Sequence, residues 1–159
     1  MNFDHLRKPN YGPAEVFAYF SEACQTVQLS EAMLDRCLPD ELHRSHFYII
    51  NHLARDGNGH TPLQITAAMQ VTKTTISHSL AVLEKQGFIE TRRSQTDARS
   101  KQVFLTGSGR TFQKQVATAV TALFGSFLRD EDYRIMGDAL PSLVAIRKLL
   151  DENRNATPD

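Results

Sequence analysis

Side chains able to bind a charged partner crowd into one quarter of this chain. Between Thr72 and Arg110 stand Lys73, Lys85, Arg92, Arg93, Arg99, Lys101 and Arg110 against Glu84, Glu90 and Asp97, a local net charge of +4. The whole chain, 159 residues with 18 Lys+Arg and 18 Asp+Glu, is neutral. The rest must therefore carry the opposite charge, the distribution expected when a single face meets phosphate. Interleaved with the cations are Thr72, Thr74, Thr75, Ser77 and His78, which can donate or accept hydrogen bonds. Taken singly, Lys73, Arg92 and Arg93 also fit an ordinary solvated surface, and Asp97 with Arg99 a surface ion pair worth under about 1 kcal/mol.

Other chemistries have weaker candidates. His43, His46 and His52 lie near Cys37 and Glu41, and the first two, at i and i+3, could bring two imidazoles together on a helix. Surface or helix-interface histidines are the commoner outcome, so neither a metal nor a cofactor is expected. Cys24 lies among Phe20, Ala23 and Val27, which predicts a packed small hydrophobe rather than a thiolate activated by cations. Two cysteines separated by a helical segment make no disulfide framework. There is no nucleophile elbow, phosphate-cradling loop or convergent carboxylate pair, and adjacent Ser77-His78 and Ser45-His46 cannot face each other on a helix. An enzyme is not expected.

The elements that must position the basic quarter follow from periodicity and caps. A first helix of about 25 residues starts at Pro13, carries Val16, Phe17, Phe20, Cys24, Val27, Met33, Leu34 and Cys37 at mostly helical spacing, and stops before Pro39. A second carries Leu42, His46, Ile49, Ile50 and Leu53 and ends at Gly57-Asn58-Gly59. A short third helix opens with Thr61 as N-cap and Pro62. After the connector Gln70-Val71-Thr72, Thr72 caps a fourth, whose buried stripe is Ile76, Leu80 and Leu83 and which Gly87 closes.

Two short runs, Phe88 to Arg93 and Lys101 to Leu105, then form a hairpin with the polar tip Ser94 to Ser100. Beyond a break at Thr106-Gly107-Ser108-Gly109, a fifth helix carries Phe112, Val116, Val120, Leu123 and Phe127, and a last one Ile135, Met136, Leu140, Leu143, Ile146 and Leu150, with Pro141 expected to kink it. The chain lacks an apolar membrane span, and MNFDHLRKPN lacks a signal peptide's apolar segment, so a cytoplasmic location without membrane contact is expected.

Helix, turn, helix and a two-stranded wing suit duplex DNA, since a helix fits the major groove while a hairpin tip reaches the neighbouring minor groove. The stretch from Thr61 to Arg110, TPLQITAAMQVTKTTISHSLAVLEKQGFIETRRSQTDARSKQVFLTGSGR, resembles the DNA-binding domain of the MarR family of regulators, most specifically in Asp97-Ala98-Arg99, Lys101 and FLTGSG. The resemblance implies a mainly α fold with a small β-hairpin wing, a winged helix-turn-helix flanked by long dimerisation helices. It would be a single domain over residues 1–159, with residues 40–106 as the DNA-binding lobe and residues 13–38 and 107–150 as the helical dimerisation region.

In that frame Lys73, Thr74, Thr75, Ser77 and His78 face bases and phosphates, Arg92, Arg93 and Lys101 add charge along the wing, and Arg99 enters the minor groove with Asp97 orienting it. The chain departs from the family where many members have an Arg in place of His78; an imidazole attracts phosphate less. Metal-sensing relatives would offer further histidines on the fifth helix, and none stands between Arg110 and Arg129. The implied function is a transcriptional regulator, a repressor, acting as a homodimer on a pseudo-palindrome in double-stranded DNA. A small aromatic ligand is its candidate effector. The rival reading is a protein-interaction module that has lost DNA binding, which zero net charge and His78 favour.

Overall fold

A computed structural model describes residues 12–57, 59–93 and 100–156. In chain order the elements are α1 (Pro13–Asp35), α2 (Arg44–Asp56), α3 (Pro62–Met69), α4 (Lys73–Lys85), β1 (Ile89–Arg93), β2 (Lys101–Leu105), α5 (Gly107–Gly125) and α6 (Asp130–Glu152). The fold is mainly α with one antiparallel hairpin. Residues 1–120 and 121–159 make two compact units. Among the described residues no helix is long and apolar enough to cross a membrane.

The core of the first unit joins apolar residues of α1 to α5 to the inner face of the hairpin. Ile49, Ile50 and Leu53 of α2, Ile65 of α3, Ile76 and Leu83 of α4, and Ile89 and Val103 of the strands are fully buried. Each such side chain contributes about 1.5–3 kcal/mol by leaving water. Local chemistry starts and stops the helices around them. The Thr61 hydroxyl accepts the Gln64 N–H at 3.2 Å, the Gln64 side chain accepts the Thr61 N–H at 2.8 Å, and the Thr72 hydroxyl accepts the Thr75 N–H at 3.2 Å. Gly87, at φ +73°, ends α4 with the Phe88 N–H on the Leu83 carbonyl and its own N–H on that of Glu84, both at 3.0 Å.

α2 begins differently. His43 is its N-cap, and His46 Nδ1 accepts the His43 N–H at 3.0 Å, closing a box normally made by Ser or Thr with Glu or Gln. Arg44, in the same turn, pairs with Glu31 at 3.3 Å and Asp35 at 2.5 Å, tying α2 to the end of α1. Past Asp35 the chain continues toward Pro39 in tighter turns, with the Cys37 N–H on the Leu34 carbonyl at 2.8 Å and the Leu38 N–H on that of Asp35 at 3.2 Å. The first helix is thus shorter than its apolar run.

β1 and β2 pair from Ile89↔Leu105 to Arg93↔Lys101. On the other edge of β2, Val103 bridges to His60: its N–H donates to the His60 carbonyl at 2.9 Å, and its carbonyl accepts the Gly59 N–H at 3.0 Å. A bridge of one residue has no period, so the sequence offered no strand there.

The expected break at residues 106–109 is instead the first turn of α5. Thr106 is its cap: the hydroxyl accepts the Gly109 N–H at 3.0 Å and lies 2.7 Å from the Gly87 carbonyl oxygen and 3.0 Å from that of Phe88. A Cβ at Gly109 would fall 2.1 Å from the Phe88 carbonyl oxygen and 2.6 Å from Leu105 Cδ1. The glycine permits a close approach inside a helix rather than ending one.

α1 and α6 leave most of their apolar surface bare. Leu34 is the one buried residue of α1 and α6 has none, while Phe17 is 76% exposed and Leu140 57%. Cys24 is exposed as well, which corrects the expectation of a packed thiol: most of the apolar stripe to which it belongs is uncovered among the described residues. Pro141 lies inside α6 and withholds the helical hydrogen bond from the Gly137 carbonyl.

Gly109→Ala is expected to lose more than about 3 kcal/mol, because the new methyl group meets backbone that cannot move alone. Gly107→Ala, where a Cβ meets nothing within 4 Å, should be neutral or stabilising by up to about 1 kcal/mol. Thermal midpoints of the two variants check this; equal midpoints would mean the Phe88 corner yields.

Candidate nucleic-acid interface

The turn between α3 and α4 is made by Gln70, whose left-handed backbone, φ 54° and ψ 38°, swings the chain into the Thr72 cap. α4 then divides cleanly. Ile76, Ser79, Leu80 and Leu83 are buried, and Lys73, Thr74, Ser77 and His78 are exposed on the opposite side. Thr72 and Thr75 are committed locally, their hydroxyl oxygens 2.8 Å apart. They hold the first turn in shape.

The hairpin also alternates. Ile89, Val103 and Leu105 are buried on one face, with Arg93 and Lys101 at its outer end, while Glu90, Arg92, Gln102 and Phe104 occupy the other face. Arg92 is held on the wing: it pairs with Glu90, and its guanidinium carbon lies 4.8 Å from the centre of the Phe104 ring. Arg93 and Lys101 are directly opposite in the register. Two cations there repel each other, and no carboxylate pairs with either among the described residues.

Between hairpin, α3 and α4 lies an open groove of about 520 Å³, lined by Thr61, Leu63, Thr66, Lys73, Ser77 and Lys101 among others. The structure thus brings Lys73, Ser77 and Lys101 together. Asp97 and Arg99 lie outside the described residues. Of the groove residues, Leu63, 62% exposed, and Thr66 were missed, although a Leu at the second position of a capped helix, off the core stripe, is a readable signal.

Residues 41–100 match the model of the MarR family. That segment, 60 of the 159 residues, is similar to a MarR-family domain. Solved structures resemble the whole chain at low identity. FabT of Streptococcus pneumoniae in complex with DNA is 23% identical, with TM-score 0.62 over 87% of this chain and 99% of its own. A MarR family transcriptional regulator of Streptomyces coelicolor in complex with DNA is 20% identical, with TM-score 0.61 over 87% and 91%. BpsR of Bordetella bronchiseptica, whose DNA binding is regulated by 6-hydroxynicotinic acid, is 17% identical, with TM-score 0.64 over 80% and 98%. Comparison with curated proteins finds no match. The structural likeness carries the fold, a winged helix-turn-helix with long flanking helices.

Among the described residues no three or more His, Cys, Asp or Glu gather as a metal group. His43 and His46 face each other for another reason, the cap of α2, and the His43 ring also bonds the Ser45 hydroxyl at 3.0 Å. Burial, then the neighbouring His43 and His78, hold the His46 imidazole below its ordinary value of 6.5. Protonation at Nδ1 would also remove the acceptor of the His43 N–H.

The folded chain prefers the neutral His46 ring, so the unfolded chain binds that proton first as pH falls. Its contribution to stability is fully present above about pH 6.5 and is lost as pH drops from there through the folded value. The thermal midpoint should fall between about pH 7.5 and about pH 5. His46→Gln, which keeps a side-chain acceptor for the cap, should fall less. Identical pH profiles for wild type and variant would place the responsible proton elsewhere.

Proposed function

We propose that this chain is a sequence-specific DNA-binding transcriptional regulator, a repressor rather than an enzyme, acting in the cytoplasm as a homodimer on a pseudo-palindromic operator. The observation that carries the reading is Lys101, opposite Arg93 in the hairpin register, lining a groove together with Lys73 and Ser77 of α4, beside an α4 face with no structural duty. A phosphate backbone supplies the missing anion. In this reading Lys73, Thr74, Ser77 and His78 enter the major groove, Thr72 and Thr75 shape the first turn, and Arg92, Arg93 and Lys101 charge the wing. Asp97 and Arg99, outside the described residues, keep the minor-groove role that the resemblance implies. DNA complexes of the relatives from S. pneumoniae and S. coelicolor support it. Regulation of BpsR by 6-hydroxynicotinic acid supports a small aromatic effector.

The homodimer accounts for the bare helices. Val16, Phe17 and Val27 on α1, and Ile135, Met136, Leu140 and Leu143 on α6, are each more than half exposed. Two copies covering them would bury well over about 2,000 Å². Equilibrium sedimentation at micromolar concentration should find a dimer; a stable monomer overturns that part of the reading.

Selection from genomic fragments at about 0.1 M salt tests DNA binding itself. Retention of a defined palindrome supports regulation, whereas no retention favours a module that binds another protein. On the selected duplex, Arg99→Ala should weaken specific and unrelated binding alike and lower the salt slope by about 1 per protomer. His78→Ala should leave the slope nearly unchanged and relax one base pair per half-site at a cost of about 1–3 kcal/mol. Arg99→Ala binding as tightly as wild type at every salt concentration would remove the wing from the interface.

A further inference from the structure

Glu84 stands in the last turn of α4, where the helix dipole favours a cation over a carboxylate. Its Oε1 accepts the backbone N–H of Thr91 at 3.0 Å. Thr91 lies opposite Val103, whose own N–H and carbonyl are taken by His60 and Gly59 on the far edge of β2. Thr91 and Val103 are therefore a pair without mutual hydrogen bonds, and the Thr91 N–H points off the free edge of β1. A charged acceptor reaches it there from the recognition helix, and such bonds are the stronger kind.

The position along the strand matters. The foot of β1 is fixed at Phe88, whose N–H and carbonyl bond to Leu83 and Thr106. Thr91 is three residues farther out, about 10 Å along an extended strand. At this level the β2 side is held by the Val103 bonds to His60 and Gly59, and on the β1 side the bond to Glu84 ties the hairpin to α4 itself. Held again at Thr91, with Arg93 and Lys101 starting just beyond, its direction relative to α4 is set.

We propose that Glu84 is a positioning residue that fixes the angle between wing and recognition helix, and so determines how closely the wing cations approach a duplex seated on α4. The inference rests on the DNA-binding reading above. Glu84 touches no base in this scheme and acts through Thr91.

Two variants separate the bond from the charge. Glu84→Gln and Glu84→Ala both remove one negative charge, and the Gln keeps a carbonyl acceptor. On the duplex selected by the wild type, Glu84→Gln should match or slightly exceed wild-type affinity, while Glu84→Ala should bind about tenfold more weakly than Glu84→Gln. Each is then combined with Arg99→Ala. The Arg99 loss should be full in the Gln background and clearly smaller in the Ala background, because a wing no longer tied to α4 at Thr91 has already forfeited that contact. A purely structural role for Glu84 would lower the thermal midpoint and leave the Arg99 loss unchanged. An Arg99→Ala effect of equal size in both backgrounds overturns the proposal whatever the affinities. A wild-type protein that selects no duplex is a different failure, that of the DNA-binding reading itself.

Discussion

Phe88 turns its carbonyl toward the first turn of α5 so closely that no side chain fits at Gly109. The same carbonyl accepts the Thr106 N–H at 3.0 Å, and the Thr106 hydroxyl beside it caps α5. One peptide group thus joins the exit of α4, the foot of β1, the end of β2 and the start of α5. The Phe88 ring completes the joint by stacking on Phe112, with centroids 4.6 Å apart. Were this corner to open, the wing would lose its foot and α4 its stop, while the caps at Thr61 and Thr72 stayed intact. The direction of the hairpin relative to α4 depends on it.

Against that joint, α4 does two separate jobs with two sides. Its inner residues, Ile76, Leu80 and Leu83, fasten it to α2, α3 and the hairpin through burial. Its ends are held by hydrogen bonds of its own backbone, to Thr72 at the start and around Gly87 at the end. Neither task draws on the side chains of Lys73, Thr74, Ser77 or His78. A basic, hydroxyl-bearing surface is therefore displayed on a helix whose stability does not need it.

What the sequence disclosed and withheld follows the range of the forces. Caps at Thr61 and Thr72, the Gly87 stop and the stripes of α2 and α4 act within a few residues, so their spacing was readable. His43 as a cap was not, because the box with His46 uses an imidazole where Ser or Thr is usual. The His60 bridge and the Gly109 approach join segments distant in sequence, and nothing local marks them; the glycines even mimicked a break. Of the basic residues, Lys73 and Lys101 meet in one groove, but composition alone could not show Arg92 bound to Glu90 and Phe104. Helical spacing on α1 correctly identified an apolar stripe, but Cys24 on it is exposed in the single chain rather than packed.

The separation of frame from surface on α4 also bears on how such a protein can diverge. Lys73, Thr74, Ser77 and His78 are exposed, with their side chains off the buried stripe. Substitutions there change chemistry presented to the outside at little cost in folding, typically within about half a kcal/mol. A duplicated gene could therefore wander through many surface combinations without passing through unfolded intermediates. Gly109 has no such latitude: almost any exchange is blocked by the Phe88 carbonyl. Drift in a lineage of this chain should be fast on one side of a single helix and nearly frozen at a buried glycine.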